Sequence, residues 1–361
     1  MNRHLDRFSA VLFFLLPHSP CLAVDLTYSN EVYFSQGMPM PSYWAAHPLS
    51  ANQSEKVWGR ADKIYKAQQP IRDTNIDYFV ERREQRVLTS NQTTLTLAAL
   101  NRIPADFAVG SYPLNANVEN YHFDTFGFNY HGLIPSSGVT FTISPKLVNL
   151  YNFNYGIGEG ELQINNKNEG LLIGTLDRYS ISSYGFDPKP NPLKIHTGFS
   201  SDIEVEKSTD QYRLNLIILN AFSRISVDNY FYNKRLYQVN TLNNELVFSD
   251  TPSLTGFYGQ TTRTLHLPRI FQFQAQENSN IQGLSPMIGA QAYNSMVSPW
   301  LGVKYQSDIL NFKLKTSDGA NFYINSEFKN VFLKNLTAVF SMYISQYRKS
   351  EFLISNLTYK Y

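Results

Sequence analysis

The clearest pattern of apolar and polar positions lies near the end of the chain, in segment 309–316. Apolar side chains occupy every second position there, and polar side chains occupy the positions between them: Leu310, Phe312 and Leu314 against Asn311, Lys313 and Lys315. Successive side chains of a β-strand point to opposite faces. The alternation therefore predicts a strand with one apolar and one polar face.

The same alternation continues after a turn at 317–320. The next segment sets apolar against polar residues in the same way: Phe322, Ile324 and Phe328 against Asn325, Glu327 and Lys329. Leu336, Phe340 and Ile344 then share a face in a third segment, and a polar turn at 346–350 precedes the last one. We expect four consecutive antiparallel strands joined by short turns.

The last segment, 351–361, places apolar and aromatic side chains on one face of an extended strand up to the final residue: Leu353, Leu357, Tyr359 and Tyr361. Chain ends usually fray, so such a strand requires a partner strand and an apolar environment. Here the chain resembles Gram-negative outer-membrane β-barrel proteins. The alternative is a soluble β-sandwich whose last strand happens to end the chain.

The resemblance implies an all-β fold, a transmembrane antiparallel up-and-down β-barrel with both termini in the periplasm. It also implies two kinds of partner: outer-membrane lipid, and the barrel assembly machinery. Leu357, Tyr359 and Tyr361 would form the assembly signal. Further strand patterns occur upstream, around residues 151–157, 212–218, 225–231 and 265–273. At about 20 residues per strand and turn, we expect about 14 strands, with about 12 or 16 as alternatives.

The start of the chain has the features of an export signal. Basic residues precede the apolar run 11–16, and Ala23 follows Cys21 and Leu22 in a cleavage-like setting. We predict a signal peptide at 1–23 that is removed; a lipoprotein signal acylated at Cys21 is the alternative. Cleavage would remove the single cysteine, so no disulfide is expected. The following segment, 24–34, alternates and predicts a first strand.

Segment 49–86 shows the least strand-like pattern. Val57, Ala61 and Ile64 fit one face of a helix, and a second short helix is expected after Pro70. We interpret 24–92 as the first strand plus a helical plug or insertion, and 93–361 as the barrel. A long loop and a small periplasmic extension are alternatives to the plug.

Composition narrows the possible functions. Charged residues make up 17% of the chain and aromatic residues 14%, and the formal net charge is +2. No strong electrostatic field favours nucleic acid as a partner. There is no apolar stretch of about 18 residues after the signal, which argues against a membrane-spanning helix.

Candidate catalytic groups are few. His266 with nearby threonines, and His122 with Asp124, are the local arrangements to consider for an enzyme acting on lipid or lipopolysaccharide. No residues have the spacing of a zinc site and no glycine-rich phosphate loop occurs, so we expect no metal and no cofactor.

The predicted polar faces give candidate residues for the barrel interior: Asn311, Lys313, Lys315, Asn325, Glu327, Lys329, Gln272 and Gln274. Their mixture of charges and amides suits passage of polar solutes. We expect a porin-like channel or transporter for an unknown small solute. The alternatives are the lipid-acting enzyme and a structural barrel of a secretion or surface-polymer export system.

Overall fold

The computed structural model describes residues 24–34, 56–91, 93–94, 108–166, 169–181, 195–242, 245–247, 257–278, 283–307, 310–316, 321–329, 336–345 and 348–360. The predicted signal peptide and Tyr361 lie outside these ranges. In the part of the chain so described, no helix is long and apolar enough to cross a membrane.

The described chain forms antiparallel strands that belong to one sheet. Their bounds are β1 Asp25–Phe34, β2 Lys56–Pro70, β3 Ile76–Asn91, β4 Gly110–Ile134, β5 Val139–Asn166, β6 Glu169–Ser180, β7 His196–Ser208, β8 Tyr212–Leu242, β9 Glu245–Val247, β10 Phe257–Leu265, β11 Ile270–Glu277, β12 Leu284–Tyr293, β13 Met296–Gln306, β14 Leu310–Thr316, β15 Asn321–Lys329, β16 Leu336–Ser345 and β17 Arg348–Lys360.

The sheet closes on itself because β1 pairs with β17, from Asp25 opposite Lys360 to Ser29 opposite Asn356. Strands β6 and β7 pair with successive parts of β5 and β8, so they share one position in the barrel. Strands β10 and β11 share another position along β8, and β9 pairs with β8 alone among the described strands. The result is a closed barrel of 14 strands, which confirms the predicted fold and number.

Segment 49–86 differs from the structure predicted for it. Residues 56–70 and 76–91 are strands β2 and β3, which pair with each other and with β1 and β4. The helices expected there are wrong. Lysine, arginine, glutamate and alanine favour helices when isolated, but here closure of the sheet overrides that weak preference. Residues 49–55 lie outside the described part.

The barrel wall has two unequal sides. Strands β4, β5 and β8 contain 25, 28 and 31 residues, whereas β14, β15 and β16 contain 7, 9 and 10. The long strands continue past their neighbours at the end opposite the termini: Ser90, near the end of β3, lies opposite Ala116, and β10 begins opposite Lys234 of β8. We name β4–β8 with β10 the tall wall, and β12–β17 with β1 the short wall.

Side chains sort by face along the strands. On β4, Phe126 and Phe128 are 51% and 47% exposed, whereas Thr125 and Asn129, which flank them in the sequence, are buried. Large apolar side chains are exposed around the barrel in the same way: Ile143, Leu147, Phe199, Leu216, Phe222, Phe271, Phe273, Ile288, Leu301 and Val303. An apolar outer face and a partly polar inner face are what a membrane-spanning barrel requires.

Candidate functional site: the barrel interior

A layer of buried charges lies inside the barrel at the level of β2, β3, β5 and β7. Three ion pairs form it, with donor–acceptor distances of 2.7, 2.9 and 2.6 Å: Arg60 with Asp62, Arg83 with Glu81, and Lys146 with Asp202. Their side chains are at most 6% exposed, except for Asp202 at 19%. Each buried charge thus lies beside a charge of opposite sign, which offsets part of the cost of removing it from water.

Asp202 has a second contact that fixes its position. Its Oδ1 accepts a hydrogen bond of 2.8 Å from the backbone N–H of Asn220. Asn220 has a φ of 51°, in the left-handed region that asparagine adopts more readily than most residues. Its side chain donates to the backbone carbonyl of Pro268, which lies between β10 and β11. The charged layer is therefore tied to an irregular part of the tall wall.

An apolar constriction accompanies the charged layer. Trp58 of β2, Val87 of β3, Ile270 of β11 and Tyr293 of β12 form one cluster, and each is at most 4% exposed. The rings of Trp58 and Tyr293 have centroids 5.7 Å apart. Because β2 and β12 are far apart in the strand order, side chains from different sides of the barrel meet here and narrow the interior.

Glu119 of β4 connects the constriction to the tall wall. Its Oε1 accepts a hydrogen bond from the Tyr293 hydroxyl, and its Oε2 accepts one from the Tyr121 hydroxyl, both 2.9 Å long. Hydrogen bonds to a buried carboxylate are stronger than those between neutral groups. The bond from Tyr293 joins β12 to β4 across the interior, and the bond from Tyr121 lies within β4.

The interior residues predicted from the sequence lie on β11, β14 and β15. They alternate with apolar neighbours, as Gln272 does between the exposed Phe271 and Phe273. Asn311 is buried and donates a hydrogen bond of 3.1 Å to Glu327. The Lys329 Nζ lies 3.9 Å from the Glu327 Oε1, and the Lys315 Nζ lies 4.1 Å from the centre of the Trp300 ring. In the strand register, Lys313 lies opposite Asn325 and Gln274 lies opposite Gly289.

None of these eight residues belongs to the constriction cluster or to the three buried ion pairs described above. Whether they line a solute path stays a prediction. The residues that fill the interior, including Trp58, Glu119 and Asp202, were not predicted from the sequence. The signal for the buried residues of β2 and β3 was weak: a charged or aromatic residue at every second position of 58–62, and a polar residue at every second position of 81–85.

The two histidines considered for catalysis have structural contacts. Nδ1 of His266 lies 2.5 Å from the backbone carbonyl oxygen of Ser223, next to the bond from the Leu267 N–H to the Ser223 hydroxyl. Asp124 accepts two hydrogen bonds, of 2.8 and 2.9 Å, from Arg82, and His122 packs edge-on against Tyr151. Asp124 is therefore oriented toward arginine.

Comparisons with known proteins give little similarity in sequence. No protein-family model matches the chain, and no curated protein matches it. Among solved structures, a ΔS2S3 mutant of the monoaromatic hydrocarbon channel TodX is 11% identical, with a TM-score of 0.42 over 94% of this chain and 89% of that one. The siderophore receptor PirA from Pseudomonas aeruginosa is 8% identical, with a TM-score of 0.24 over 95% and 80%.

Proposed function

We propose that this chain is an outer-membrane channel or transporter of a Gram-negative bacterium that passes small polar solutes. The observation that carries the proposal is the closed barrel itself, whose outer face is apolar while its interior holds paired charges. An apolar exterior replaces contact with water by contact with lipid, and a polar interior is useful where water or a polar solute enters.

The interior side chains would act as the gate. Trp58, Val87, Ile270 and Tyr293 narrow the interior, and in this proposal the narrow state conducts poorly. Breaking the Glu119–Tyr293 bond would separate β4 from β12 and let the Trp58 ring move. A gate of this kind comes from the wall of the barrel itself, in place of the helical plug expected from the sequence.

The proposal is tested by the conductance of the purified protein in planar bilayers. Trp58→Ala removes the largest side chain of the constriction, so we expect a larger unit conductance than in the unchanged protein. Tyr293→Phe keeps the ring and removes the bond to Glu119, so we expect more frequent opening. Leu301→Ala, on the 61% exposed outer face of β13, is the control and should behave as the unchanged protein.

Absence of conductance in both interior variants, with each shown to be folded by its heat-dependent shift in gel mobility, would contradict the proposal. The second variant is needed because Trp58→Ala also leaves a cavity. In soluble proteins, loss of a buried tryptophan costs about 3–5 kcal/mol of stability. Tyr293→Phe removes a single hydroxyl and is the milder change.

The orientation and assembly of the barrel belong to the same proposal. We infer that the termini face the periplasm and that the assembly machinery recognises the closing strand through Leu357, Tyr359 and Tyr361. Deletion of Tyr361 should lower the fraction of heat-modifiable barrel in outer-membrane fractions while leaving the unit conductance of the assembled molecules unchanged. Normal assembly of this variant would disprove the recognition signal.

A further inference from the structure

A continuous row of aromatic rings lies on the inner face of the tall wall. It consists of Tyr121, Phe153, Tyr155, Tyr179 and Tyr232, and we name it the aromatic track. The centroids of successive rings are 4.9, 6.4, 5.5 and 4.8 Å apart. These separations are those of interacting aromatic pairs, so the five rings form one surface across β4, β5, β6 and β8.

Strand register produces the track. Tyr121 lies opposite Phe153, and Tyr179 lies opposite both Tyr155 and Tyr232. Phe153 and Tyr155 are two residues apart on β5, so they share a face. The row is therefore built into the backbone pairing and does not depend on the chance position of one flexible side chain.

The track leads from a partly exposed region to the constriction. Tyr155, Tyr179 and Tyr232 are half-buried, whereas Phe153 and Tyr121 are 3% and 4% exposed. At its buried end, Tyr121 donates to Glu119, the carboxylate that also accepts from Tyr293. A ligand held on the track would therefore approach the residues that close the barrel.

Polar groups border the aromatic surface. The Arg263 guanidinium lies 5.9 Å from the centre of the Tyr179 ring, and Lys234 lies 3.8 Å from Asp177. Oδ1 of Asn117, buried one row from Tyr155 and Glu119, accepts no hydrogen bond in the described part of the chain. Donors, acceptors and both signs of charge thus surround a surface made of rings.

We propose that the aromatic track binds a neutral oligosaccharide and delivers it to the constriction. A sugar ring has an apolar C–H face that packs on aromatic carbon and a rim of hydroxyls that bond to groups such as Asn117 and Arg263. A hydrocarbon would remove water from the Arg263 guanidinium and would leave Asn117 Oδ1 without a hydrogen bond, and it offers neither group a partner, which is costly. A ligand of a single charge would meet repulsion from either Arg263 or Asp177.

Several aromatic rings in a row suit a ligand built of repeating units. Each sugar unit of an oligosaccharide can contact one part of the track, so each added unit should increase the binding affinity. This inference rests on the proposed transport function for its direction of travel, but binding itself can be measured without conduction.

The experiment is calorimetric titration of the purified full-length barrel in detergent. The probes are neutral oligosaccharides with α- and β-linked glucose, galactose and N-acetylglucosamine, their monosaccharides, and toluene. We expect at least one oligosaccharide to bind more tightly than its monosaccharide. Tyr179→Ala and Tyr232→Ala should each weaken that binding roughly three- to tenfold, from the loss of one ring contact. Tyr179→Phe should retain most of it.

Tyr305→Ala, on the outer face of β13 and 37% exposed, is the matched control and should bind as the unchanged protein. The proposal is overturned if no oligosaccharide binds, if toluene binds in their place, or if both alanine variants keep full affinity. Binding without conductance would support this inference and contradict the proposed channel. Conductance without binding would support the channel and contradict this inference.

Discussion

The short wall and the tall wall of this barrel are both built of antiparallel strands, but the strands differ in length and in what their inner faces carry. Strands β14 and β15, with 7 and 9 residues, are no longer than a bilayer crossing requires. Strand β8, with 31 residues, is far longer. At about 3.3 Å per residue, its additional length extends well beyond the apolar part of a membrane. The short wall thus closes the barrel, whereas the tall wall also carries the aromatic track.

The interiors of the two walls differ as well. Polar contacts on the short wall join neighbouring strands, as Asn311 and Glu327 do. On the tall wall, Glu119 bonds to Tyr293 of a strand on the opposite side. Substitutions inside the tall wall should therefore change the packing of the barrel interior. Substitutions on the outer face of the short wall should change mainly the contact between the protein and lipid. Four substitutions test this difference.

The largest effect is expected from Asp202→Ala in the charged layer. It leaves the Lys146 ammonium, 1% exposed, without its 2.6 Å partner. Loss of one member of a buried pair costs about 3–5 kcal/mol. Urea unfolding of the barrel in lipid vesicles, followed by tryptophan fluorescence, measures the change. A loss below about 1 kcal/mol, the range of surface pairs, would show that water reaches Lys146 freely.

A smaller effect should separate the membrane band from the projecting part. Leu301→Arg places a charge on the outer face of the short wall, within the apolar band, and should cost about 2–4 kcal/mol. Val118→Arg is the matched change on β4, opposite Leu88 near the upper end of β3, just below the part of β4 that extends past β3, and should cost about 0–1 kcal/mol. Both residues are exposed, at 61% and 41%. Equal losses in the same unfolding assay would place Val118 inside the membrane.

The smallest effect is expected from Glu206→Ala. This residue pairs with Arg213 at 2.5 Å near the termini end of the tall wall, and the two side chains are 24% and 49% exposed. Surface pairs contribute about 0–1 kcal/mol and are weakened by salt. We expect a small loss of stability at low salt that disappears at high salt. A large, salt-insensitive loss would mean that the pair is buried against lipid or a partner.

The sequence predicted the short wall well because each of its strands has one apolar and one polar face. The segments expected at 309–316 and 322–329 are strands β14 and β15, and the expected first strand is β1. Strand β2 was not predicted because each of its two faces carries both apolar and charged residues. Trp58 and Asp62 face inward, whereas Ala61 and Lys63 lie on the other face, so the alternation carries no contrast in polarity.

The sequence by itself determined the class of the fold. Alternating strands, a closing strand rich in apolar residues and few charges are sufficient for a membrane barrel of about 14 strands, because these features reflect local geometry and lipid contact. Only the tertiary structure decided how the interior is filled. Lys146 and Asp202 are 56 residues apart, and Glu119 and Tyr293 are 174 apart. Closure of the barrel and the register of its strands bring such partners together. A one-residue change of register would turn a strand's side chains to the opposite face and separate them.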